Sequence, residues 1–66
     1  MRRTDFWSRM EQAFGAGYAY SVAADQVIPQ LGERTVNQAF AEGEDTAVVW
    51  RAVCHAYPDR VPSKVR

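Results

Sequence analysis

One cysteine in 66 residues excludes an internal disulfide, so the covalent staple common among small domains is missing. That cysteine, Cys54, stands beside the only histidine, His55. A four-ligand zinc site would need carboxylates that the sequence does not bring near them, and no metal or other cofactor is expected. An excess of one charge is missing too. Eight basic and eight acidic residues cancel, leaving no overall field to draw in nucleic acid or anionic lipid. No apolar run approaches the roughly 20 residues of a membrane span. The opening MRRTDFWSRM has no apolar stretch resembling a signal peptide. A lone thiol without an export signal fits a reducing, cytoplasmic setting. Strand-type alternation, internal repeats and low-complexity tracts are absent as well.

What is present is a set of large aromatics. A chain of this length buries only about 60% of the surface its unfolded form exposes, so Phe6, Trp7, Phe14, Tyr18, Tyr20, Phe40, Trp50 and Tyr57 are expected to carry the core. A protein partner or a homodimer would add burial. The charges are unevenly placed: Arg2 and Arg3 open the chain and Arg60, Lys64 and Arg66 close it. Between Met10 and Val49, Glu11, Asp25, Glu33, Glu42, Glu44 and Asp45 face a single Arg34.

The patterning predicts an all-α protein, a compact bundle of three to four short helices. Thr4 is a plausible N-cap for a first helix, with Asp5 suited to the positive end of its dipole. Phe6, Trp7, Met10, Ala13 and Phe14 share one face of that helix, which ends at Gly15 and Gly17. In a second helix Tyr20, Ala24, Val27 and Leu31 share a face, with Ala23 and Ile28 at its edges, while Val22 and Tyr18 point elsewhere. Pro29 lacks an N–H and crowds the carbonyl of Asp25, so this helix should stop near Val27 or Ile28. A helix-turn-helix-like pair follows at about 35–57. Thr35 and Gln38 have capping-box spacing, Gly43 can end the helix 36–42 with a positive φ, and Asp45 can cap the helix 46–57. That last helix is expected to bury Val49, Trp50, Val53, Cys54 and Tyr57, with Trp50 at the centre of the core. Residues 1–58 then form one helical domain, and 59–66, with two prolines, a flexible C-terminal tail.

No catalytic constellation emerges. Neighbours on a helix point about 100° apart, so Cys54 and His55 do not face each other as a thiolate and its base must. Glu42, Glu44 and Asp45 crowd one corner, where capping and the helix dipole account for them better than a cleft between separated carboxyls. The chain is therefore read as non-enzymatic. Val48, Arg51, Ala52 and His55 form the face of the last helix opposite its core seam. Mixed apolar and Arg surface of this kind suits a protein contact, and these four residues are the candidate partner-binding set.

The alternative is DNA binding. Ala39, Gly43 and Val49 fit the frame of a helix-turn-helix, in which Thr46, Ala47, Trp50 and Arg51 would read the duplex. Glu42 and Glu44 stand where that motif usually places apolar residues, and Arg51 is the only basic residue of the reading helix. Affinity for DNA rests heavily on phosphate neutralisation, so nucleic acid ranks second to protein. The two readings make opposite demands of Trp50: the core seam turns it inward, the DNA frame outward.

The segments MRRTDFWSRM, FGAGYAYS, GERTVNQAFAEG and DTAVVWRAVC resemble a family of small actinobacterial proteins known as domain of unknown function 3046. The resemblance spans nearly the whole chain, and the last two segments are the most specific. Family members typically carry a hydrophobic residue where Glu44 stands, and Pro29 also departs from their pattern. The resemblance implies a helical cytoplasmic protein. Genes of the family often lie near those of homologous recombination, which implies a DNA-maintenance setting.

Overall fold

Four α-helices form, and what starts and stops each follows from local chemistry. The computed structural model describes all 66 residues. Helix α1 (Arg3–Phe14) is capped two residues before the expected position. Arg2 is the N-cap, and its N–H donates to the Asp5 carboxylate at 3.4 Å, so Asp5 satisfies a free amide and Thr4 lies inside the first turn. Gly15 closes the helix, its N–H bonded to the Glu11 carbonyl at 2.8 Å.

Helix α2 (Ala19–Asp25) is shorter than the periodicity implied, and its inner face differs. Ala19, Val22 and Ala23 are buried, whereas Tyr20, Ala24 and Val27 are exposed. The reason is Pro29. It drives Ile28 into extended backbone (φ −111°, ψ 113°), as a residue before proline prefers, so the helix stops at Asp25 and 24, 27 and 31 never share a helical face. Pro29 instead opens a 3₁₀ turn (Pro29–Leu31). Gly32 and Glu33 follow with φ of +69° and +62°, and the Ile28 N–H donates to the Arg34 carbonyl at 3.0 Å, closing a tight loop. Ile28 and Leu31 both reach the core through this loop.

Helix α3 (Val36–Ala41) starts as expected. Thr35 Oγ1 accepts the Gln38 N–H at 3.1 Å, and Gln38 Oε1 accepts the Thr35 N–H at 2.8 Å, so two free amides are satisfied reciprocally. Gly43, at φ +87°, ends it. The Glu44 N–H donates to the Ala39 carbonyl and the Gly43 N–H to the Phe40 carbonyl, the paired bonds of a Schellman turn. Helix α4 (Thr46–Ala56) follows at once. Asp45 occupies its N-cap position, but the carboxylate makes no capping bond, a correction to the expectation that it caps.

The helices enclose a core of 16 buried apolar residues. Its aromatic centre is Phe6, fully buried, with the rings of Trp7, Phe40 and Trp50 edge-on at 5.3, 5.0 and 5.8 Å. Edge-to-face pairs place a positive ring edge against a negative face. Trp50 is 2% exposed and thus lies inward, though it shares the centre with Phe6. Tyr18 and Tyr20, expected in the core, are exposed. Tyr20 still packs: its ring stacks on Trp7 at 4.6 Å and its hydroxyl donates to Glu11 at 3.3 Å.

The segment beyond Pro58, expected to be a flexible tail outside the domain, folds back onto it. Val61 and Val65 join the core, the latter in a second 3₁₀ turn (Ser63–Val65) that packs on α1. The Arg66 guanidinium donates to the Pro58 and Val61 carbonyls at 2.7 and 3.2 Å. The Cα radius of gyration, 10.5 Å, matches the roughly 10.8 Å expected of a compact chain this long, which an extended tail would exceed. No helix is long and apolar enough to cross a membrane.

Candidate functional site

On α4, Val48, Arg51 and His55 lie on the outward side, one above another at intervals of three and four. Val48 is 37% exposed. Ala52, assigned to the same face, is buried, because α1, α3 and the Pro29–Leu31 turn all pack against the helix. The outward strip is therefore narrow, with one apolar side chain. Of the residues that would read DNA, Arg51 is exposed, Thr46 and Ala47 are half-buried, and Trp50 is withdrawn into the core.

The acidic corner has a structural occupation. Arg34 Nη1 pairs with Glu42 at 2.8 Å and Nη2 with Glu44 at 2.6 Å, while Nε donates to the Leu31 carbonyl at 2.6 Å. Its charged form is held further above the ordinary arginine value by the bonds to Glu44 and then Glu42. Glu44 thus goes to Arg34 and not to the dipole of α4. One planar guanidinium ties the 28–34 loop to the corner between α3 and α4, using the fork of donors that only arginine offers.

Cys54 and His55 border a shallow depression of about 320 Å³ with Pro58 and Arg66. The thiol is half-buried, and that burial raises its pKa against the opposing pull of the Arg66 and Arg9 guanidiniums. His55 has no part in the shift. A thiol held protonated is a weaker nucleophile than a thiolate.

A second concavity, of about 260 Å³, opens where the end of α1 and the length of α2 meet the end of α4. Phe14 and Val22, both nearly buried, form its floor, and the Tyr57 ring stands edge-on to Phe14 at 5.3 Å. Tyr18 and Gln26 flank it and Arg60 completes the lining. Tyr18 is 55% exposed and makes no hydrogen bond through its hydroxyl, and Val27, beside Gln26 in sequence, is 51% exposed. Sequence patterning set Tyr18 and Val22 off the shared face of the second helix, yet Val22 is buried and belongs to the core. The remaining lining comes from three separate segments, and only folding brings positions 14, 26 and 57–60 together.

The chain belongs to the family described as protein of unknown function DUF3046, whose model matches residues 1–64. Comparison with curated proteins and with solved structures found no match.

Proposed function

We propose that this member of the family is a non-catalytic docking module that acts by binding another protein in a cytoplasmic setting. The observation that carries this reading is the aromatic groove between α1, α2 and α4. Tyr18 and Tyr57 line an open concavity, whereas Trp7, Phe40 and Trp50 pack on Phe6 and Tyr20 stacks on Trp7. Aromatic and Arg-containing patches are the composition enriched at protein contacts. The outward strip of α4, Val48, Arg51 and His55, is a separate and more polar surface that a partner or a second copy could extend onto. The lone half-buried thiol supports a reducing compartment.

Photo-crosslinking in cells of the native host tests this. A benzophenone side chain replacing Tyr18 is expected to capture discrete protein species, and the same group at exposed Asn37 on α3 is not. Equal, diffuse labelling from both positions would sink the docking reading.

A helix-turn-helix-like DNA-binding role linked to DNA maintenance is the second reading. It is supported by the short Gly43 corner joining α3 to α4 and by the open Arg51. The burial of Trp50 counts against it, as does the commitment of Arg34 to two carboxylates. Binding to random duplex DNA that weakens steeply with salt would favour it over protein docking.

A further inference from the structure

We infer that the groove formed by Phe14, Tyr18, Val22, Gln26, Tyr57 and Arg60 takes a short acidic peptide segment, in which a large apolar side chain stands close to a carboxylate. This rests on the docking reading above and adds the chemistry of the partner.

Size comes first. At about 260 Å³ the groove falls just below the roughly 300–1,000 Å³ of small-molecule pockets, and it is open to solvent, so it suits one or two side chains of a longer ligand. Its floor of Phe14, Val22 and the Tyr57 ring selects an aromatic or bulky aliphatic group. At its sides the Gln26 amide and the Tyr18 hydroxyl both donate and accept, which suits the backbone of a bound peptide.

Charge decides the rest. No carboxylate lines the groove, and Arg60 is its one charged residue. Both ion pairs in the molecule belong to Arg34. Arg60 is exposed, and its guanidinium makes no hydrogen bond, although its backbone N–H is used by the Tyr57 carbonyl at 3.1 Å. A free guanidinium beside an apolar floor matches a ligand carboxylate, which it can grip with two parallel bonds.

Selection of a displayed random dodecapeptide library against the intact protein tests the inference. Enriched peptides are expected to pair Phe, Trp or Leu with Asp or Glu within four positions. Their affinity should fall about threefold to tenfold for Arg60→Glu and largely survive in Arg60→Lys, as expected for a charge on a solvated rim. Arg60 is exposed and its guanidinium holds no hydrogen bond or ion pair, so neither variant should disturb folding. Enrichment of peptides without acidic residues, or equal binding to Arg60→Glu, overturns the acidic partner but leaves docking intact. Failure to enrich any peptide that Tyr18→Ala weakens sinks both. A concentration-dependent dimer in sedimentation, lost in Arg60→Glu, would instead assign the groove to a second copy of this chain.

Discussion

An indole N–H sealed away without an acceptor costs about 1–3 kcal/mol, and Trp50 bears that cost on the inner side of α4. Burial of its ring, edge-on to Phe6, opposes that cost. Trp50→Ala should therefore lose about 3–5 kcal/mol, a large part of the 5–15 kcal/mol typical of a native domain. Trp50→Phe should lose less than about 1.5 kcal/mol, since it keeps most of the buried ring and removes the orphan donor. Urea titration of the two variants checks this, and similar losses would place the indole outside the core. Cys54 gives a second test at this scale. Burial favours the neutral thiol in the native state, so iodoacetamide at pH 8 should alkylate it more slowly than in the urea-unfolded chain. The unfolded chain releases the proton first, near pH 8.5. Stability should thus fall as pH rises from there through the higher native value. A rate that is unchanged on unfolding would contradict the burial.

At the scale of elements, helix starts and stops were legible where a single local bond makes them, and helix faces were not. Thr35, Gln38 and Gly43 act within a few residues of themselves, and their spacing alone locates α3 and its corner. The face of α2 depends on where that helix ends, and Pro29 acts four residues upstream of itself by forcing the preceding backbone to extend. The Arg34 clamp was not legible because its partners stand 8 and 10 positions away, meeting only after the loop and corner have formed. Glu44 sits at the Schellman position whose side chain often packs back onto the helix; here it makes an ion pair with Arg34 instead. A double-mutant cycle of Arg34→Ala and Glu44→Leu should show the two coupled. The leucine should be tolerated better once the arginine is gone, because either change alone breaks the pairing and Arg34 keeps Glu42. Additive shifts in melting temperature would mean that the pair contributes nothing. Thr35→Ala, which removes one cap bond, should cost about 1 kcal/mol whether or not the clamp is present.

For the whole molecule, the all-α class followed from the spacing of apolar residues, but the limits of the domain did not, because Val61 and Val65 are small, isolated and set among prolines and charges. Their burial depends on the chain reversing after Pro58, where the Arg60 and Val61 N–H groups both bond the Tyr57 carbonyl. The same reversal brings Arg60 to the groove and Arg66 to the Cys54 depression, so the last residues help to build both concavities. Removal of 59–66 should then do two things at once. It strips two buried valines, each worth about 1.5–3 kcal/mol when fully covered, and a domain this small has little to spare. It also opens one side of the groove. Val61→Ala separates the effects: it should lower stability while leaving Arg60 in place and peptide affinity near that of the parent at temperatures well below its melt. Amide hydrogen exchange provides the direct check. Val61 and Val65 should be protected, since both N–H groups are bonded, with Val61 close to the level of α4. Exchange at the rate of free peptide would detach the tail from the core and leave the groove without its arginine.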